Sequence, residues 1–266
     1  MTALSVGKRF RDTCVAGQKT GVAAKVLSVY NNSVNILMQG EIFSVVTVQA
    51  GRSPSGLTVD NVSCLGLTPG ETCSLLPGRI SFPRAVIDYS GSVLWQGRIS
   101  EKFRSTLSYE SVMALKSALD RKAPPCSIWS VGPETRPVRE VRRLGDDPYN
   151  AVRGLTGLGP GLTPSGDDVL LGFLSVLNHF SNDEGYKNRF RAAVSETTDF
   201  TTTISAQLLK NALRFEYHEY IEDAISALSQ SHEGLVPAAV RLFGLGATSG
   251  ADIAAGMYFA AEIIKW

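Results

Sequence analysis

The stretch GLGPGLTPSGDDVLLGF, Gly157 to Phe173, collects residue types that bind and activate small ligands. It holds five glycines, two prolines, Thr163, Ser165 and the adjacent carboxylates Asp167 and Asp168, and an apolar run follows. A glycine loop leading into a helix offers free backbone N–H groups and hydroxyls at the positive end of the helix dipole, an arrangement suited to phosphate or carboxylate. Gly159, Gly161, Thr163, Ser165 and Gly166 are the candidate anion-binding positions. The carboxylates would repel that anion unless a cation or a basic side chain intervened. Mg²⁺ held by Asp167 or Asp168 against a phosphate oxygen would reconcile the two. Alternatively, one aspartate could serve as a general base. Magnesium is the one cofactor these residues suggest.

The same pattern returns near the C-terminus. SGDDVLLGF, from Ser165, matches SGADIAAGM, from Ser249, and each copy follows a threonine and a Gly-x-Gly. Thr248, Ser249 and Gly250 thereby join the binding candidates, and Asp252 joins Asp167 and Asp168 as a catalytic candidate. Part of the pattern has a plain structural explanation. Ser165 with Asp168, and Ser249 with Asp252, have the spacing of a capping box, and an acid in the first turn suits the helix dipole. Capping does not require Gly166 or Gly250, which each cost about 1 kcal/mol against alanine inside a helix. Glycine there implies close approach of another backbone or a ligand. Gly172 and Gly256 lie one turn beyond the acids on the same face. They predict a close crossing of two helices that brings Asp168 near Asp252. A third hydroxyl-rich start, TTDFTTTISAQLL, adds Thr202 and Ser205 as candidates beside their ordinary role as N-caps and solvent-facing groups.

Other chemistries find little support. GxxxxGK[ST] is absent, and no strand leads into the glycines as a dinucleotide fold requires. The histidines His179, His218 and His232 stand singly, with no GxSxG elbow to complete a triad. Cys14, Cys64, Cys73 and Cys126 lack metal-ligand spacing and suggest reduced thiols. With 26 basic against 25 acidic residues, nothing marks a nucleic-acid surface. No apolar run reaches the roughly 20 residues of a membrane helix, and no signal peptide is legible. A cytoplasmic protein is expected.

These candidates need elements to hold them. From about Gly21 to Ile99 short β-branched runs (KVLSVY, SVNILM, IFSVVTV, RISF, RAVIDY, SVLWQGRI) alternate with Gly, Pro, Asn and Ser turns, predicting an antiparallel sheet or barrel. GRSPSG, Gly51 to Gly56, reads as a turn that could line a cleft. Ser108 to Lys122 reads as a helix that Ser108 with Ser111 could cap. Residues 130–149, with three prolines and Arg136, Arg139, Arg142 and Arg143, read as a linker or mobile loop. Beyond Asn150 five or six helices follow, the first and last apolar nearly all round and so placed in a core. The reading is an α+β protein: a β-rich part with one helix over 1–129, the linker, and a helical part over 150–266.

GLGPGLTPSGDDVLLGF, TTTISAQLL and GLGATSGADIAAG, in this order, resemble the AllH family, as do LSVYNNSVNILMQGEIFSVVTV and GRSPSGLTV. The resemblance implies a subunit of oxamate carbamoyltransferase in allantoin and purine breakdown, together with an FdrA-like protein and a companion subunit. That enzyme moves a carbamoyl group between oxalurate, with phosphate, and oxamate plus carbamoyl phosphate, all small anions. The Ser-Thr-Arg-Thr loop of aspartate and ornithine carbamoyltransferases is missing. Phe215 stands where the family pattern leads one to expect a small residue. Three readings follow: a subunit with its own small-anion site, a non-catalytic partner that completes another chain's active site, or a stand-alone Mg²⁺-dependent enzyme on a small phosphorylated or carboxylated metabolite.

Overall fold

The computed structural model describes residues 1–16, 21–97, 99, 106–229 and 232–264. Contacts divide the chain into two units, Met1–Arg98 with Tyr217–Glu219, and Ile99–Glu216 with Tyr220–Trp266. The α+β expectation holds.

The first unit is a nine-stranded sheet in the order β8-β7-β6-β2-β3-β4-β5-β1-β9. Its strands are β1 (Ser5–Gly7), β2 (Val22–Val29), β3 (Ser33–Met38), β4 (Glu41–Thr47), β5 (Gly56–Val59), β6 (Thr72–Leu76), β7 (Arg79–Ser81), β8 (Val86–Asp88) and β9 (Val93–Trp95). Along β2 and β3 every second side chain is buried, the period-two signature of a one-sided sheet. A two-residue turn joins β3 to β4, with positive φ at both Gln39 and Gly40. The sheet is mixed, not antiparallel as predicted: β5 runs parallel to β4, and β9 parallel to β1. Sequence periodicity reports burial and says nothing of strand direction, and neither β1 nor β5 is among the predicted strands. The sheet curls, because the residues before β1 bond to β8 at its far end: Ala3 N–H donates to Asp88 O (2.8 Å), and Asp88 N–H to Met1 O (2.9 Å).

Helix α1 (Lys8–Ala16), also unanticipated, fills this curl. Its Phe10 is fully buried, edge-on to Phe43 and Tyr89 at 5.5 and 5.6 Å between ring centroids. The GRSPSG turn seats the start of α1. Pro54 O accepts from Phe10 N–H at 3.1 Å, and a Cβ on Gly7 would lie 2.6 Å from the Pro54 carbonyl carbon.

The second unit is helical: α2 (Tyr109–Lys122), α3 (Arg136–Arg143), α4 (Pro148–Leu155), α5 (Ser165–Phe180), α6 (Glu184–Thr197), α7 (Thr203–Leu213), α8 (Glu219–Leu228), α9 (His232–Phe243) and α10 (Ser249–Ile264). Ser108 caps α2 as expected, accepting from Ser111 N–H at 3.3 Å. The stretch read as a linker carries α3, which buries Val138 and Val141 while its arginines face outward. Prolines mark the openings of α3 and α4, where a missing N–H costs nothing. The long helix read from Thr202 to Ser229 breaks at Phe215, whose φ is +62°. Helix α5 is buried from Gly166 to Phe180, and α10 is buried almost throughout, so both form the core. Arg98, predicted as strand, and Lys265 and Trp266, predicted as helix, lie outside the described residues.

Candidate functional site

Helices α5 and α10 make the most extensive helix pair of the second unit. A Cβ on Gly172 would stand 2.7 Å from the Ile253 carbonyl carbon and 3.0 Å from Met257 N. One on Gly256 would stand 2.8 Å from the Val169 carbonyl carbon and 2.9 Å from Phe173 N. The two backbones therefore touch, as the glycines predicted. One constant offset in residue number converts each of these contacts into its counterpart, so a local pseudo-two-fold axis relates the helices.

The duplication reaches back into the preceding helices, and it explains Gly166 and Gly250. Gly166 N–H donates to Leu158 O at 2.8 Å, and its Cβ would meet the Leu155 carbonyl carbon at 2.9 Å. Gly250 N–H donates to Leu245 O at 2.9 Å, and its Cβ would meet the Leu242 carbonyl carbon at 2.6 Å. Each glycine lets the end of α4 or α9 fold tightly onto the next helix. Their amides, expected to face a ligand, are turned inward. The capping boxes do not form either. Pro164 is the N-cap of α5, its carbonyl accepting from Asp168 N–H at 3.2 Å, while Asp252 N–H bonds to Thr248 O at 2.9 Å.

With their own helix starts closed, the acids reach elsewhere. Asp168 interacts with the Ser249 hydroxyl at the start of α10, and Asp252 with Ser165 at the start of α5 and with Thr248. Asp252 also accepts from Ile128 N–H at 2.7 Å. Thr163 Oγ1 and Ser249 Oγ lie 2.9 Å apart and join the two entrances directly. Asp167 turns away, accepting from Gly157 N–H at 2.9 Å and from the Thr201 hydroxyl, with Ser205 beside it. All three carboxyls are buried. Burial pushes each above the ordinary carboxylate range. For Asp168 the rise is large: burial comes first, the negative charges of Asp252 and Asp167 add to it, and the Ser249 hydrogen bond opposes it.

A third helix start completes the group. Thr202 caps α7, accepting from Ser205 N–H at 3.1 Å, and donates its own hydroxyl to Leu162 O at 2.5 Å. The entrances of α5, α7 and α10 thus converge. Gly159 and Gly161, with φ of +124° and +94°, sit in an exposed loop with Pro160 and Leu162. Leu162 is 51% exposed and nearby Phe200 73%. The binding and catalytic candidates read from the two glycine-rich entrances and from TTDFTTTISAQLL lie in this one region, whereas the GRSPSG turn belongs to the first unit. Sequence reading missed the Ile128 and Gly157 amides, since a backbone N–H carries no residue-type signal.

Residues 155–261 match the model of oxamate carbamoyltransferase subunit AllH, and residues 2–94 match that of the AllH family N-terminal domain. The chain belongs to the AllH family. The first match spans all three helix entrances, and the second spans the curled sheet. No solved structure matches the chain.

The magnesium expectation for Asp167 and Asp168 meets a geometric obstacle. Both Asp167 oxygens already accept protein hydrogen bonds, and Asp168 turns to a different partner. Among the described residues no three His, Cys, Asp or Glu side chains gather as metal ligands. Two of the histidines are engaged elsewhere: His179 packs edge-on to Phe215, and His218 bonds to Ala50 O at 2.9 Å. What the region offers instead is hydroxyls, helix dipoles and buried acids held toward the neutral form.

Proposed function

We propose that this chain is the AllH-type subunit of an oxamate carbamoyltransferase assembly. In that reading it works in the cytoplasm with FdrA-like and companion subunits in allantoin and purine breakdown. Its site for a small anion is the convergence of the α5, α7 and α10 entrances. The observation that carries the reading is that three hydroxyl-bearing helix starts meet beneath an exposed glycine loop, inside the segment matched to the AllH model. Three helix dipoles then direct their positive ends to one place. The hydroxyls of Thr202, Thr163, Ser165, Thr248 and Ser249, each now bonded within the protein, would turn from those partners to donate to carboxylate or phosphoryl oxygens. The carboxyls beneath need not repel the anion, because burial favours their protonated form. The role of these groups is to bind and orient the anion and to stabilise charge that develops on its oxygens.

Calorimetry with oxamate and with phosphate, on the isolated chain and on the reconstituted assembly, tests this. Thr202→Val and Ser249→Ala are expected to weaken anion binding at least tenfold in chains that still fold cooperatively, each less stable by about 1 kcal/mol for the hydrogen bonds it loses. Unchanged affinity in both variants sinks the proposal. A second reading is favoured by the exposed Leu162 and Phe200 at the loop tips: the glycine loop enters a partner's active site and is non-catalytic. It predicts no anion binding by the isolated chain, and activity on mixing that Leu162→Asp abolishes.

A further inference from the structure

We propose that the outward face of α9 is a docking surface for a second copy of this chain, the two α9 helices packing antiparallel about a two-fold axis at Pro237. The inference goes beyond the anion site and holds whatever that site binds.

The internal duplication supplies the first observation. The correspondence that matches Leu155 with Leu242 and Leu158 with Leu245 extends back along α4 and α9. Ala151, Val152 and Leu155 are buried on α4, and their counterparts Ala238, Ala239 and Leu242 are buried on α9. The exposed positions match as well: Tyr149, Asn150 and Arg153 correspond to Val236, Pro237 and Val240. Exposure is alike, with Tyr149 at 43%, Val236 at 40% and Val240 at 42%, yet the chemistry differs. On α4 these positions carry a phenol, an amide and a guanidinium, ordinary groups for a surface in water. On α9 they carry two branched aliphatics and a proline. A proline inside a helix has no N–H for the carbonyl four residues back, so neither helix propensity nor the core accounts for Pro237. Single exposed valines are ordinary, but a contiguous apolar strip where the duplicate keeps polar groups marks a surface that another molecule covers.

The second observation is that this face is complementary to itself. Under a two-fold axis crossing the helix at Pro237, residues equally far before and after it meet in the two copies. Glu233 and Arg241 lie four residues before and four after, each one turn away on the same face. Opposite charges therefore meet twice, once at each end of the strip. Arg241 already holds the Asp223 carboxylate at 2.8 Å, and its guanidinium has further N–H groups for Glu233 of the second copy. Gly234 and Val240 lie three residues before and three after. A Cβ on Gly234 would meet nothing within 4 Å, and Val240 of the second copy fills that opening. A parallel pairing would set Glu233 against Glu233 and Arg241 against Arg241, so the charges select the antiparallel arrangement. A helix of 12 residues spans only about 18 Å, short of the roughly 800 Å² per partner of a standard stable interface, so the association is weak and concentration-dependent.

Sedimentation velocity of the full chain over a concentration series at low salt tests this. The wild type is expected to pass from monomer to dimer. Val240→Glu, at an exposed position that leaves the core untouched, is expected to stay monomeric. Glu233→Arg alone and Arg241→Glu alone each bring like charges together at two points and should raise the dimer dissociation constant about tenfold. Mixed in equal amounts, these two variants restore both opposite-charge pairs in a heterodimer and should associate as the wild type does. Circular dichroism checks that each variant folds, and local damage within a chain is not repaired by mixing, so the rescue separates docking from a folding defect. A wild type that stays monomeric overturns the proposal; if Val240→Glu then abolishes binding to another subunit of the assembly, the face belongs to that subunit instead. Dimers that Val240→Glu leaves intact, charge reversals without effect, or single variants that mixing does not rescue overturn it equally. None of these results bears on whether oxamate or phosphate binds, so this test and that of the anion site fail separately.

Discussion

Gly172→Ala is the sharpest test of the helix crossing, because two effects of opposite sign compete. Alanine in place of glycine inside an exposed helix is worth up to about 1 kcal/mol in favour of folding. At Gly172, however, the added methyl would lie 2.7 Å from the Ile253 carbonyl carbon, closer still to its oxygen, and 3.0 Å from Met257 N. Ordinary contact between such atoms is about 3.5–4.0 Å, so α5 and α10 must part by roughly 1 Å. The obstructing atoms are backbone in a core helix and cannot rotate aside. Overpacking of this kind costs about 1–3 kcal/mol and occasionally more, and here it also loosens the Thr163–Ser249 contact one to two turns away. The net expectation is a loss of about 2 kcal/mol in the helical unit, overpacking winning over propensity. Urea denaturation followed by Trp129, which packs on Tyr258 and Phe259 of α10, reports it. Gly234→Ala is the matched control. It is helical with nothing within 4 Å of the added methyl, and should be neutral or stabilised by up to about 1 kcal/mol. Gly172→Ala behaving like Gly234→Ala would refute the crossing. Gly256→Ala added to Gly172→Ala should cost less than it does alone, since the helices have already parted.

Three further outcomes are expected. The raised folded-state pKa of Asp168 means that the native chain holds a proton the unfolded chain releases near pH 4, so stability falls as pH rises from there through the folded pKa; Asp168→Asn should decline less steeply, keeping only the share of Asp167 and Asp252, and a parallel curve would contradict it. Asp167→Asn replaces one of two acceptors by a donor facing Gly157 N–H or Thr201, and should cost about 1–3 kcal/mol, with faster amide exchange at Gly157. Phe215 occupies the left-handed position of a Schellman turn, with Glu216 N–H bonded to Asn211 O and Phe215 N–H to Ala212 O, both at 3.0 Å. Phe215→Gly should stay within about 1 kcal/mol of wild type, relief of about 1–2 kcal/mol of strain offsetting lost ring contacts with His179 and Arg191, whereas Phe215→Val should fall well below it in thermal melts.

Glycine placement was highly informative about this fold, and also about the limits of sequence reading. Gly172 and Gly256 foretold the close helix crossing because a helical period puts them on one face, and only missing side chains permit backbones to touch. Gly166 and Gly250 were equally conspicuous, yet their role as seats for the ends of α4 and α9 rather than for a ligand depends on where those helices fold. The capping box failed for a similar reason. Its spacing is local, but Ser165 and Ser249 found partners on the opposite helix. In the first unit, alternation exposed β2 and β3, while β5 and β6 lay hidden among turn residues and α1 carried only a narrow apolar stripe.

By itself, the sequence determined the class of each half, the crossing of the two core helices, the set of residues at their entrances and the family. These follow from local periods, from glycine's lack of a side chain and from motifs contiguous in the chain. Only the tertiary structure decided the mixed strand order, the inward turn of the Gly166 and Gly250 amides, and the separate partners of Asp167 and Asp168. It also decided the burial that holds Asp168 toward its neutral form. Strand direction, the destination of a backbone N–H and the dielectric around a carboxyl depend on groups distant in sequence, and no residue type or spacing encodes them.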